Sequence, residues 1–510
     1  MSDSTEMPAD LTPDERGMWM AFRMGSVYDG RPDSRGGDHP PSARLRVRAE
    51  IVAWLLLDGP PPLPGRVSSL KLRGLEITGV LDLSGAEVAA YVELVECDFT
   101  GPVELTASRM STLRLVGCFL PTMHAEGVRV AGDLHLPRCT FHRGLVLKNA
   151  QVGGDLLLNQ ATLNPDRNGF SLLADGVVVT QNIEAEGLES DGRISLADAH
   201  VGKSCSFRGS RLRNRHDRYA LTAPRLSVDR SLYFSPSAVA RTDSEGGSGE
   251  RRTVFDGEVQ LDDARIGDAI DLQSAELRRE EGVFSLRRVH ASELRFLPRE
   301  VHGSRVVLEE ASVDTLVDSV SGWPRTGLEL SGFVYKRIAP LGLFTVAERI
   351  AWLRTATLDT YDPQPYEQLA RVLRAGGEPQ DADTVLLARM RRRRETLGGV
   401  AKVWDAVQDV TFGYGYRPGR AVVWLSVIWA AGSLWFSHRP PAPMKAGEGP
   451  AWSPEIYTLD LLLPILDLGQ ETQWHTQGIS MWIAVVLAFA GWILATSVAV
   501  GAAAVLLRRN

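Results

Sequence analysis

One phrase governs the middle of this chain: an apolar residue, two variable residues and a small one, recurring about every eleven positions. It reads LSGAEV from Leu83, LVECDF from Leu94, LTASRM from Leu105, LVGCFL from Leu115, LPRCTF from Leu136, LKNAQV from Leu147 and LNQATL from Leu158. Later copies are LADAHV from Leu196, FRGSRL from Phe207, LDDARI from Leu261, LQSAEL from Leu272 and LEEASV from Leu308. A longer phrase, V-x-G-D-L-x-L, spans Val130–Leu136 and returns twenty-two residues later at Val152–Leu158. Within each phrase apolar residues alternate, as at Leu134/Leu136 and Leu156/Leu158. That is the period of strands with one buried face.

A coil of this length cannot bury its own inner face, so coils must stack, strand pairing with strand. The predicted fold is a mainly β solenoid of about 22 residues per coil over 65–338. On the order of twelve coils, at about 4.8 Å each, make a rod about 55–60 Å long. The small residue three after each Leu falls where the inner wall is tight. Cys97, Cys118 and Cys139 occupy that position twenty-one apart. Without a C-x-x-C pair or His partners they read as stacked small hydrophobes, not as a metal ladder. The phrases resemble a degenerate pentapeptide-repeat or bactofilin-like solenoid. The pattern blurs at Arg213–Arg218 and Ser235–Thr253, where loops intrude.

A solenoid needs closed ends. Residues 42–64 hold a helical stretch that stops at Asp-Gly-Pro-Pro-Pro and suits a cap, while 1–41 is polar, Gly/Pro-rich and expected to be flexible. Beyond Ile338 the apolar period becomes helical. Residues 339–397 read as a helical hairpin adaptor resembling a tetratricopeptide-type unit.

The hairpin ends on Arg391, Arg392, Arg393 and Arg394, and an amphipathic stretch at 398–418 carries Trp404. These residues are expected to contact anionic lipid at a membrane surface. Ala421–Phe436 and Ile479–Leu507 are read as two transmembrane helices of a membrane domain at 419–510. Flanking arginines place both chain ends and the solenoid in the cytoplasm of an inner (plasma) membrane protein. Gly491, Ala495, Ala499 and Ala503 recur every four residues, a spacing that permits close helix packing. Between the spans, 451–474 reads either as an interfacial helix on the outer leaflet, anchored by Trp452, Tyr457 and Trp474, or as a re-entrant loop whose YTLDLLLPILDLGQ run looks distantly like the pore helix and filter of a two-helix channel. Asp467, Gly469, Gln470 and Glu471 would then line its mouth.

The GYGYRPGRA…DLGQ…W tail, with the solenoid, resembles a group of uncharacterised actinobacterial membrane proteins often labelled membrane-associated oxidoreductases. That label implies a redox centre, yet G-x-G-x-x-G, C-x-x-C, G-x-S-x-G, H-E-x-x-H and P-loop patterns are all missing. No catalytic residue, metal or cofactor is therefore expected. A net charge of -7 argues against a nucleic-acid partner. The expected partners are the lipid bilayer and a protein or a second copy of the chain. The sequence thus reads as a membrane-anchored scaffold or sensor, with a solenoid-gated ion channel as the alternative.

Overall fold

Most copies of the phrase make a tight corner. In the computed structural model of the chain, the leading residue accepts a hydrogen bond from the backbone N–H of the small residue three positions on. Ser108 N to Leu105 O, Ala150 N to Leu147 O and Ala161 N to Leu158 O all measure 3.0 Å. The third residue of the phrase is left-handed, with φ of +57° at Ala107, +55° at Asn149 and +58° at Gln160. This bond with positive φ at the third residue is the signature of a type II turn. Its strained residue is held from the neighbouring coil: Asn149 N donates to Asp175 O and Gln160 N to Glu186 O, each at 2.8 Å.

The structure describes residues 10–31, 44–237, 250–356, 361–396, 419–444, 451–463 and 468–507, with isolated positions at 7, 398, 399, 402, 405 and 406. Side chains at 421 and 495–507 fall outside that description. The chain divides into two compact units, Met1–Gln368 and Leu369–Asn510.

In the first unit each coil contributes four short segments, for example Arg109–Met110, Leu113–Val116, Phe119–Leu120 and Met123–His124. Each pairs in parallel with its counterpart on the next coil: Arg109 beside Arg129, Leu113 beside Leu134, Phe119 beside Thr140, Met123 beside Leu145. Four ladders result, here the first to fourth faces. The first two merge into a 20-stranded sheet, since late strands such as Arg265–Asp271 and His290–Phe296 run through the bend between them. The third and fourth faces are 11-stranded sheets, at about 4.8 Å per rung a stack about 50 Å long. The solenoid-like stacking is thus present, slightly shorter than expected.

Side chains alternate as the phrase requires. Leu105, Ser108 and Met110 point inward, and Cys97, Ala150 and Ala161 fill the tight corners with no exposed surface. Farther along, Phe207, Phe234, Phe255 and Phe284 form a continuous aromatic column with centroids 5.8, 5.2 and 5.9 Å apart. Burying each such side chain contributes about 1.5–3 kcal/mol. Insertions gather at the corner between third and fourth faces, at 164–169, 214–218 and 278–282. The longest lies instead at the corner between second and third faces, leaving from Ser237 and returning at Arg251, the two bonded to each other through their backbones; residues 238–249 lie outside the description.

Both ends of the stack are covered. Helix α1 (Pro13–Met24) stands in the segment expected to be flexible. The sequence there is polar on average, but Thr12 and Glu15 form a capping box, and Met18, Trp19 and Phe22 are buried. A strand (Leu45–Arg48) leads into helix α2 (Ala49–Asp58), which buries Ile51, Val52 and Leu55. At the other end helix α3 (Val346–Ala356) lays Arg349 and Trp352 over the last coils. Gln364 and Gln368, at the start of α4 (Gln364–Ala375), bond to Phe333 O and Tyr335 O.

The second unit holds α5 (Pro379–Glu395), α6 (Gly419–His438), α7 (Pro454–Leu462) and α8 (Ile479–Leu507). Among the described residues no helix is long and apolar enough to cross a membrane. The assignment of two spans, with the inner-membrane location, cytoplasmic ends and ion channel built on it, is therefore corrected. In α6 the apolar run lies between Arg420 and Ser437; sixteen residues at about 1.5 Å reach only about 24 Å of a core about 30 Å thick. In α8 the described side chains end at Leu494, a run of the same length. What the helices do is clasp α7. A Cβ on Gly432 of α6 would stand 2.5 Å from Thr458 Cγ2, and one on Gly491 of α8 2.4 Å from Leu462 O. Phe436, Tyr457, Leu462 and Leu487 fill the space between them. On the outward sides Val423, Trp482, Val486 and Phe489 are exposed.

Candidate functional site

The first face of the stack carries the most distinctive surface. Its outward residues on successive rungs are Glu87, Arg109, Arg129, Gln151, Val178 and His200, all exposed. After each strand the chain bends through a small residue, such as Ser111, Ala131 or Gly153. A Cβ on Gly153 would stand 2.1 Å from Ala131 O, so the bend stays shallow-walled and close-packed only with glycine there. The bend is the floor of a groove of about 770 Å³ crossing five rungs from Glu87 to Thr180. A second stretch of about 500 Å³ follows on the same face, between Ser227 and Asp314.

The charges in this groove are unusual for the molecule. Several arginines elsewhere on the stack are matched to carboxylates on the neighbouring coil. At one corner Asp198, Arg225, Asp263 and Arg288 alternate, with bidentate bonds of 2.6 Å from Arg225 to Asp198 and of 2.6 and 2.8 Å from Arg288 to Asp263. On the second face Arg114 lies 3.5 Å from Glu93. Arg109 and Arg129 instead stand directly beside each other. Neither guanidinium makes a hydrogen bond or ion pair with any described residue. Like charges opposite each other on adjacent strands are destabilising. At about 5 Å in water the cost is roughly 1 kcal/mol.

Other clusters have internal explanations. Cys97, Cys118 and Cys139 are buried free thiols, and Cys118 and Cys139 donate to carbonyls of the preceding coil at 3.3 and 3.4 Å. Hydrogen bonding to Cys139, reinforced by burial, pushes the Cys118 thiol up to about 12, and burial does the same to Cys205. Such thiols are poor nucleophiles. His124 sits between Glu104 Oε1 at 2.9 Å and Thr122 Oγ1 at 3.4 Å, the order of a carboxylate–imidazole–hydroxyl relay. The Thr122 hydroxyl, however, is buried and donates to Gly144 O at 3.0 Å, which makes it a tie between coils. Among the described residues no group of three or more His, Cys, Asp or Glu is placed to hold a metal ion.

The residues singled out in the C-terminal half are dispersed by the fold. Asp467 and Trp404 lie outside the described residues. Gly469 is left-handed at φ +71°. Gln470 is buried and accepts from Trp474 Nε1 at 3.1 Å, while Glu471 is exposed. The turn they form is organised by Asp460, a buried carboxylate of α7. It accepts the backbone N–H groups of Leu468, Gln470 and Glu471 at 2.7, 2.8 and 2.8 Å. These amides thus face a structural anion, a role sequence reading missed because Asp460 sits inside the apolar run. Arg391, Arg392, Arg393 and Arg394 form the last turns of α5, with Arg392 paired to Glu395. Gly491 packs on Leu462; Ala495, Ala499 and Ala503 belong to the part of α8 whose side chains are not described. No family model, curated protein or solved structure matches the chain.

Proposed function

We propose that this chain is a docking protein whose partner, another protein, lies along the first face of the stack. The observation that carries this reading is the groove itself: five rungs long, floored by small residues, and lined by a column of exposed side chains with two arginines left unmatched. A stacked repeat holds such a column rigidly, so little ordering entropy is lost when a partner binds. On the repeat phrase we also place the body with the pentapeptide-repeat-like solenoids, at about 22 residues per coil.

Selection of a displayed linear-peptide library on the purified chain tests the reading. The binders would be measured by fluorescence anisotropy against Val178→Arg, which obstructs the groove, and Thr162→Arg, on the third face. Docking in the groove predicts a loss of tenfold or more with Val178→Arg and none with Thr162→Arg. A library yielding no binder, or binders indifferent to Val178→Arg, would overturn it.

A further inference from the structure

We infer that the occupant of the groove is an extended acidic peptide segment that sets two carboxylates against Arg109 and Arg129; the inference rests on the docking reading. Five rungs separated by about 4.8 Å span about 19 Å, the length of six or seven extended residues at about 3.3 Å each. Such a segment turns alternate side chains toward the groove, three or four in all. The column they meet is ordered: Glu87, then Arg109 and Arg129, then Gln151, then Val178. Complementarity asks for a neutral or basic residue first, two carboxylates two positions apart, and an apolar residue last. The free guanidiniums are pre-placed for charge-assisted bonds, and a bound carboxylate pair removes the repulsion between them.

The same column disfavours nucleic acid. A strand with a negative charge at every residue would meet Glu87 at one end, and the continuation of the face is lined by Asp229 and Asp314. Within the groove the positive charge is confined to two rungs, and along its continuation Arg265 stands among Asp229 and Asp314, which suits a short acidic stretch of polypeptide.

The probe is a fluorescein-labelled heptapeptide, Lys-Ser-Glu-Ser-Glu-Ser-Leu, with a Gln-for-Glu version and single-stranded DNA as controls. Anisotropy would be read at 50 and 300 mM salt. The acidic peptide should bind at least tenfold tighter than the Gln version at low salt and lose most of that margin at high salt. The double variant Arg109→Glu with Arg129→Glu should abolish the margin and prefer a peptide with Lys in place of both Glu. Both substituted side chains are at the surface, so circular dichroism should be unchanged. Equal binding of the acidic and Gln peptides, or tighter binding of DNA that needs both arginines, overturns the inference. If library binders still depend on Val178 while showing no preference for acid, the docking function stands and the acidic occupant falls.

Discussion

Glu15 concentrates in one side chain the way this fold ties its first helix to its first coil. The carboxylate has no exposed surface, and burial alone would raise its pKa. Arg48 Nε and N at 2.8 and 3.0 Å, with Thr12 N at 2.9 Å, outweigh burial and bring it down to about 2. Because the folded value lies below the unfolded value of 4.5, the stabilisation is complete above pH about 4.5 and disappears as pH falls toward 2. It amounts to about 3 kcal/mol at neutral pH. Urea midpoints measured from pH 7 to pH 2 should fall through that window in the wild type. Glu15→Gln should start lower and fall less; a variant that tracks the wild type in parallel would show that the bond is not linked to folding. The capping pattern Thr12–Glu15 was readable in the sequence, yet it was lost among polar and glycine-rich neighbours. The left-handed third position of each corner was harder still. Glycine and asparagine fill it at some coils, but Arg138, Glu96 and Gln160 fill it at others, held by bonds to the next coil that no local pattern shows.

Helix α3 is the element that closes the far end, and its anchor is a buried ion pair. Arg349 reaches Asp318 with both nitrogens, at 2.5 and 2.7 Å, and Trp323 Nε1 adds a third bond at 2.8 Å. The guanidinium also lies 3.5 Å from the centroid of Phe344. Arg349→Met would leave Asp318 charged and buried, at a cost of about 3–5 kcal/mol. Adding Asp318→Asn should recover part of that loss, since no bare charge then remains. Chemical denaturation of the four proteins gives the coupling energy; a double variant no better than Arg349→Met alone would mean that the loss is one of packing. At this scale the helices were visible as apolar runs and their partners were not. The four-residue spacing of small residues sets Gly491 against the first long helix or a second copy of the chain, whereas in the structure it packs on Leu462 of α7. The contact depends on α7 folding back between the long helices, and a reading by hydropathy alone turned those helices into spans.

For the molecule as a whole the decisive property is that one coil, not one phrase, is the structural unit. The phrase recurs about every eleven residues, but Arg129 pairs with Gln151 and Leu134 with Leu156, a full turn on. Energy in such a stack is a sum over neighbours, so a coil removed in register leaves every remaining coil with a partner. Joining Val128 to Gln151, with 129–150 deleted, would set Met110 beside Val152 and Leu113 beside Leu156, pairs alike in size and polarity to those lost. That protein should fold with an unchanged β-type circular dichroism spectrum and unfold cooperatively, at a modestly lower urea midpoint. Deleting 129–139 instead removes one phrase. The apolar rhythm of the sequence survives it, but the third-face strand Thr140–Phe141 is then offered to the first face, and half a circuit cannot meet its neighbours. That chain should lose the spectrum and aggregate. If both deletions fold equally well, the phrase is the unit and the four-face register has been misjudged; if neither folds, the coils are not interchangeable, and the additivity that makes the groove a regular ruler for its partner fails with it.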